Sequence, residues 1–473
     1  MSVLSKLAAQ AGFKPLVFNC YEVGHTWQPS CLLANGDILV AAFNESFRIY
    51  LTLYTVSGVY RLVKYRKINL KHWLKDVIRS TLFLTSNGFY FLSSLCVFRR
   101  LIGFFTYPTI GYLPGFVASL IAINIEKKSR RGMLCNYIWQ IASELRYRSL
   151  VHRKVIPRIP HIETILFSLS VAIYLTLYRI NAADQTVQKL TKFFLNIPSV
   201  EKMFPVAPSV QPIKAFGLVA MQRLPACIRS LFEQLRRPHA SQKCISHENS
   251  CVSDAVETFI RNLAVAYVSY AGISSAVSLP SAIRLRSIAH LTKSLRSSSN
   301  IKFSLFVSLA PFVFKSTKCL LNRMTKSSEE PAWKWAAAGF ACGLSMLTYP
   351  SVPISQYFTW KLLEILYFKG IANGLVPHFP NADVLLYSIG TAYVLHAGVF
   401  EPHALRPAYW TFLYKLTGGK FSEVHRRAFD EFGCDSSYAF KDFYPKLNLL
   451  HTTINPELIC STAYMGLKKF DNN

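Results

Sequence analysis

Acidic residues are scarce in this sequence. Its 473 residues hold 25 Asp and Glu against 53 Lys and Arg, and charged residues of both signs make up only 16%, where a soluble domain carries roughly 25%. Long polar stretches are missing as well. That argues against nucleic acid as the partner of so basic a chain, because a binder of this size surrounds its basic patch with extended soluble segments. The 11 cysteines are spread singly, without a CxxC pair or a secretory signal peptide. A disulfide scaffold is therefore not expected, and a reducing compartment on at least one side is. The first 19 residues carry Lys6 and Lys14 and no acid, with too little arginine and serine for a transit peptide. The C-terminal Lys-Lys-Phe-Asp-Asn-Asn is not the tripeptide of peroxisomal matrix import, so any organelle address is expected to be internal. No P-loop, HExxH, nucleophile elbow, dinucleotide fingerprint or kinase set occurs. No catalytic residues and no cofactor are expected, and the chain does not read as an enzyme.

What the chain has is apolar length. Half of it is hydrophobic (51%), 14% is aromatic, and the mean hydropathy is positive. The basic residues cluster between apolar stretches, the arrangement of a polytopic membrane protein. Only a fully hydrogen-bonded helix crosses a bilayer economically in such segments, so the fold class is all-α. Eight runs qualify: Ile38 to Val63, Thr81 to Phe98, Leu101 to Ile125, Thr164 to Tyr178, Asn262 to Ile283, Phe303 to Phe314, Trp335 to Trp360 and Val384 to Phe400. The first is interrupted by Asn44, Glu45, Arg48 and Arg61; Trp335 to Trp360 reads as the strongest. Pro108 and Pro114 restrict regular helix to the later part of the third run.

The eight runs fall into two halves, because one unit occurs twice. Glu144 to Leu175, moved forward by 220 positions without a gap, lies on Glu364 to Leu395 with eight identities in 32 positions; unrelated sequence gives about two. The identities include Pro157 with Pro377, Pro160 with Pro380, Ser168 with Ser388 and Ala172 with Ala392. Both copies read as a helix, a Pro-x-x-Pro break, an acid (Glu163, Asp383) and an apolar run. About eight transmembrane helices, four per half, make two tandem parallel repeats. The expected organisation is an N-terminal Cys/His segment over 1–37, a first four-span repeat over 38–180, a linker over 181–243, a second repeat with its own leading Cys/His segment over 244–400, and a soluble tail over 401–473.

Several side chains stand out. Gly111-x-x-x-Gly115 and Gly339-x-x-x-Gly343 are spaced to let helices approach closely in lipid. Lys127, Lys128, Arg130 and Arg131 would set topology or attract anionic headgroups. Glu45 with Arg48, and Glu257 with Arg261, are possible intramembrane polar pairs, read first as interfacial partners at helical spacing. Glu163 and Asp383 sit where an acid offsets a helix dipole, and His396 reads as packed. Cys20, His25 and Cys31, echoed by Cys244, His247 and Cys251, would supply six soft ligands for zinc. Their spacings differ between copies and neither has a CxxC knuckle, so a cysteine-containing surface loop is the favoured reading and no metal is expected. Cys96, inside an apolar run, reads as a small hydrophobe.

Specific strings carry a family resemblance. Asn19–Cys31 (NCYEVGHTWQPSC), Ile125–Gly132 (IEKKSRRG), Tyr367–Ile371 (YFKGI), Phe379–Asp383 (FPNAD) and Leu405–Trp410 (LRPAYW) resemble the transmembrane protein 135 family, also called peroxisomal membrane protein 52. The later part is similar to the mitochondrial inner-membrane translocase superfamily, whose four-span members carry glycine-spaced helices. The family's second cysteine cluster is denser than Cys244 and Cys251 here. The resemblance implies a multi-pass protein of peroxisomal and mitochondrial membranes, linked to mitochondrial division and peroxisomal lipid metabolism, with no catalytic residue set. The leading expectation is a non-enzymatic scaffold whose linker and tail dock partners, among them membrane lipids and the organelle division machinery. A transporter or lipid conduit formed between the two repeats is the second, and a translocase-like insertion factor the third.

Overall fold

A computed structural model describes residues 14–65, 69–180, 251–284, 297–325 and 330–453, with a few isolated positions besides. These residues form helices, and among them there is no strand beyond a single antiparallel bridge between Leu16 and Phe105. In chain order the α-helices are α1 (Cys20–Val23), α2 (Cys31–Tyr65), α3 (Leu70–Ile102), α4 (Tyr107–Ile110), α5 (Tyr112–Ile125), α6 (Lys128–His152), α7 (Ile162–Arg179), α8 (Cys251–Arg284), α9 (Ser298–Thr325), α10 (Ala332–Gly343), α11 (Val352–Ala372), α12 (Ala382–Phe400) and α13 (Pro407–Leu416).

Among the described residues five segments are long and apolar enough to cross a bilayer: Leu70–Ile102, Tyr107–Ile125, Ile162–Arg179, Ser298–Thr325 and Ala382–Phe400. The eight-span expectation is corrected at two places among the described residues. Ile38 to Val63 lies within α2, which is helical but too polar to qualify, and Asn262 to Ile283 lies within α8, which is helical but whose later side chains lie outside the described residues. Trp335 to Trp360, expected as the strongest span, is not one helix. It runs as α10 to Gly343, tightens into a 3-10 turn over Leu344–Thr348, and restarts at Val352 with Pro353 in the first turn. Pro350 accounts for the break, since it disfavours helical backbone at Tyr349. The corresponding run Leu101 to Ile125 breaks too. Gly103, at φ 87°, closes α3 in the left-handed region where glycine has no steric cost, and the chain restarts at Tyr107.

The duplicated unit recurs in backbone detail. Left-handed backbone occurs at Lys154 (φ 57°) and Gly374 (φ 71°), and again at His161 (φ 54°) and Asn381 (φ 57°), pairs related by the same 220-residue shift. His161 and Asn381 precede α7 and α12, and Glu163 and Asp383 fall in the first turn of those helices. Pro157 and Pro377 follow the ends of α6 and α11, where a residue without an N–H cannot continue a helix.

The chain folds into two compact units, residues 1–158 with 378–473 and residues 159–377. It leaves the first unit and returns to it inside the two Pro-x-x-Pro breaks. In the first unit α2 pairs with α3, α5 packs between α3 and α12, and α6 packs on α12. In the second, α8 pairs with α9, α10 packs between α9 and α7, and α11 packs on α7. The plan is the same, and the fourth helices are exchanged: α7 follows the first half in sequence but completes the second unit, and α12 completes the first. The sequence halves 38–180 and 244–400 and the compact units therefore differ by this exchange. Most of the expected linker 181–243 lies outside the described residues.

The described part of the expected tail is built into the first unit. Leu405, Tyr409, Leu413, Phe421 and Phe429 join its hydrophobic core with Ile110, Ile138 and Leu395. Arg426 is buried there, donating to the Phe421 carbonyl at 2.9 Å, with the ring of Phe440 4.4 Å from its guanidinium carbon. Burial pushes its pKa down to about 9.

Candidate functional site

The N-terminal segment is held from both sides. Asn19 caps α1 through a reciprocal pair, its side chain accepting from the Glu22 N–H and its own N–H donating to the Glu22 carboxylate. Leu16 and Phe105 exchange two backbone hydrogen bonds of 2.8 Å, and Arg99 on α3 donates to the carbonyls of Phe18 and Val17. From the other side the C-terminal segment grips the same turn. The His425 N–H donates to the Val23 carbonyl, Thr26 to the Glu423 carbonyl, and the Thr453 N–H to the Glu22 carboxylate.

This anchoring gathers four soft ligands. The thiols of Cys20, Cys31 and Cys96 and a ring nitrogen of His25 all lie within 4.8 Å of one another. Cys20 begins α1, His25 follows its end, Cys31 is the first residue of α2, and Cys96 lies near the end of α3. His25 is fully buried, its Nδ1 is 2.6 Å from the Gln28 carbonyl, and its Nε2 has no hydrogen-bond partner. Beside it, Asn35 donates to the Cys31 carbonyl and accepts from Ser93, each at 2.8 Å, linking α2 to α3. Cys31 is held well below the ordinary thiol range, first by hydrogen bonds from Cys20 and Cys96 and then by His25. Its hydrogen bond with Cys31 pushes Cys20 up to about 12. A cleft lined by Cys20, Cys31, Cys96, Arg99 and Arg100 opens beside the cluster.

The turn that carries His25 also roofs an apolar cavity. Val23, Gly24 and Trp27 line it with Leu84 and Phe91 of α3, Leu395 of α12 and Leu413 of α13, around a space of about 100 Å³. Among its lining residues only Lys420 is charged, and its ammonium stands 5.3 Å from the Trp27 ring centre. Asn87 lines the wall, is 7% exposed, donates weakly to the Tyr387 hydroxyl at 3.5 Å, and leaves its Oδ1 without a partner.

The structure distributes the other sequence candidates among packing roles. A Cβ on Gly111 would stand 2.8 Å from His396 Cα, on Gly115 3.0 Å from Ala392 Cα, and on Gly339 2.9 Å from Ala172 Cα; Gly343 lies still closer to Ser168. His396 is buried between the rings of Tyr107 and Phe400, at 4.5 and 4.6 Å. Lys127 pairs with Asp76, Arg130 donates to Ser80 at 3.1 Å, and buried Arg131 donates to the Asn124 carbonyl, so three of the four basic residues bind their own unit. Lys128 is exposed. Glu45 and Arg48 form a 3.8 Å pair with Arg48 outermost, Glu257 is exposed, and Arg261 is half-buried. Cys251 begins α8, while Cys244 and His247 lie outside the described residues.

Sequence reasoning missed Cys96 and Asn87. No spacing rule ties Cys96 to a cluster so far upstream. Its nearest signal is the Arg99-Arg100 pair one turn later, which marks the end of an apolar run and hence the membrane surface. Asn87 is one of two amide side chains in or next to the α3 run, and a buried amide is a partner-seeking group.

A helical membrane protein with an N-terminal cysteine–histidine cluster and an apolar cavity under it is the class these features define. Residues 17–151, which include all four clustered side chains, match the family model described as the N-terminal cysteine-rich region of transmembrane protein 135. That match supports the transmembrane protein 135 family. No solved structure matches it.

Proposed function

We propose that this chain is a non-enzymatic, multi-pass protein of peroxisomal and mitochondrial membranes that admits part of one lipid, a stretch of its acyl chain, into the cavity of its first unit. Through that ligand it would take part in peroxisome-linked lipid metabolism and influence mitochondrial division. One observation carries the reading: an apolar cavity with one charged lining residue, Lys420, and one unpartnered buried amide oxygen, on Asn87. Sites of this build take an apolar body and fix it with a few polar groups. Lys420 already pairs with Glu423 at 3.5 Å and so adds little pull on a carboxylate head, while the Asn87 oxygen accepts from a hydroxyl. The cavity also supports the conduit expectation more than the scaffold one. Its walls come from both sequence halves, α3 from the first and α12 from the second, while the tail expected to dock partners packs inward.

The test is photolabelling of the full chain in membranes with a diazirine-bearing long-chain fatty acid, followed by mapping of the labelled peptides. Label on α3 and α12, competed by unlabelled fatty acid and lost in Leu84→Trp, supports the proposal. Label spread over the lipid-facing helix surfaces and unchanged in the variant removes it. Two-colour imaging against peroxisomal and mitochondrial markers checks the location, and uniform endoplasmic reticulum staining would sink that part.

A further inference from the structure

We infer that Cys20, His25, Cys31 and Cys96 form a zinc site, with three thiolates and the Nε2 of His25 as ligands. Four donors within 4.8 Å of one another are spaced for a single small ion. Tetrahedral zinc with bonds near 2.3 Å places its sulfur ligands roughly 3.8 Å apart, within the span observed. Four protein ligands fill the coordination shell, so the site is structural rather than catalytic.

Three further observations separate this from a chance meeting of thiols. The Nε2 of His25 is buried and unpartnered, a costly state for a polar atom and the expected state of a ligand seen without its metal. Its Nδ1 lies 2.6 Å from the Gln28 carbonyl; an Nδ1–H donated there leaves the Nε2 lone pair free for an ion, the outer-shell arrangement typical of metal-bound histidine. Cys31 opens α2, where the helix N-terminus favours a thiolate. Arg99, one turn beyond Cys96, supplies positive charge beside the three sulfurs and lines the same open cleft, through which an ion reaches them. A disulfide between two of the cysteines would satisfy only two of the three sulfurs and leave the histidine nitrogen orphaned. On binding, the thiols release their protons to solvent and no oxidant is needed.

The site would fasten three separate stretches, the α1 turn, the start of α2 and the end of α3. The test uses the full chain purified in detergent from cells grown without added metal. Elemental analysis is expected to find one zinc per chain. After stripping with a chelator, Co(II) should restore the visible bands of a tetrahedral, sulfur-rich site. Cys96→Ser and His25→Ala should each weaken Co(II) binding by at least the roughly 100-fold upper end of outer-shell effects, while Cys135→Ser, on α6 and outside the cluster, should not. Three outcomes overturn the inference: wild-type chain that carries no zinc and takes up no Co(II), full Co(II) binding in both ligand variants, or intact-mass evidence of a disulfide among Cys20, Cys31 and Cys96. Should the variants fail to fold, the stripped wild type decides alone, because its Co(II) spectrum counts the thiolates bound. No lipid enters the experiment, so its failure leaves the ligand reading standing.

Discussion

Gly115 and Ala392 stand to each other as Gly339 stands to Ala172. A Cβ on Gly115 or Gly339 would come within 3.0 or 2.9 Å of the alanine Cα, tighter than nearly all real Cβ contacts. The two alanines are equivalent positions of the duplicated unit, and so are Ser168 and Ser388. Ser168 lies against Gly343, and Ser388 offers its carbonyl to Ser119 at 3.3 Å. These identities of the repeat are thus the small-residue face that receives the third helix of each unit.

Enlarging these glycines should therefore unseat a helix. Gly339→Leu and Gly115→Leu are each expected to cost about 1–3 kcal/mol, as overpacking of a filled contact does. Gly132→Ala should do the opposite, by up to about 1 kcal/mol, because it sits inside α6 with nothing near its missing Cβ. Thermal unfolding in detergent reads all three, and equal behaviour would contradict the packing.

Because the fourth helices are exchanged, neither sequence half holds a complete unit. Chains cut within 181–243 and produced together should associate and co-purify, each lending its last helix to the other. Either half alone should be degraded or aggregate. Independent folding of residues 1–180 into a stable, monodisperse species would rule the exchange out.

The duplicated glutamates are expected to differ in weight. Glu144 is buried and receives Arg148 at 2.5 Å and the Nε of Arg406 at 2.8 Å. Glu364 pairs with Lys361 at 2.9 Å on a partly exposed face. Glu144→Gln leaves guanidinium charge without its counter-ion and should cost about 3–5 kcal/mol. Glu364→Gln should cost under about 1 kcal/mol. Denaturation midpoints of the two variants provide the comparison.

Acid should loosen the grip of the C-terminal segment on the N-terminal turn. Burial lowers the pKa of His425, a hydrogen bond to the Glu22 carbonyl raises it, Arg427 lowers it, and the Glu22 and Asp430 carboxylates raise it. The net shift is downward, so below about pH 6.5 the unfolded chain takes up a proton that the folded chain refuses. Stability is then complete above that pH and falls as pH drops towards the lower folded value. His403, lowered by burial and by His152, adds in the same direction. His425→Gln should flatten the decline of melting temperature between about pH 7 and pH 5 without abolishing it; an unchanged slope would exclude His425.

Much of this fold can be read in the sequence where the signal is local. Apolar runs bounded by charge place α3, α7 and α12. Pro157 and Pro377 mark the breaks, and the spacing of Gly111, Gly115, Gly339 and Gly343 marks helices that approach closely. What those glycines touch is not local. Nothing in Gly115 names Ala392 rather than Ala172, since both copies of the unit offer the same face. Trp335 to Trp360 misleads because hydropathy ignores Pro350, whose effect is on backbone angles. The cysteine cluster is half legible: Cys20, His25 and Cys31 are neighbours in sequence, while Cys96 joins them only because α3 returns antiparallel to α2.

The exchange of α7 and α12 also sets an order of assembly. When α5 leaves the ribosome, the surface that will cover Gly111 and Gly115 has not been made. It arrives only with α12, after the whole of the second unit has been translated. The first unit must therefore wait in the membrane with its glycine face covered by lipid or by a borrowed helix. Non-local pairing of this kind is slow and exposes sticky intermediates. A ribosome that stops early would release a protein whose first unit can never close, however much of that unit's own sequence it carries.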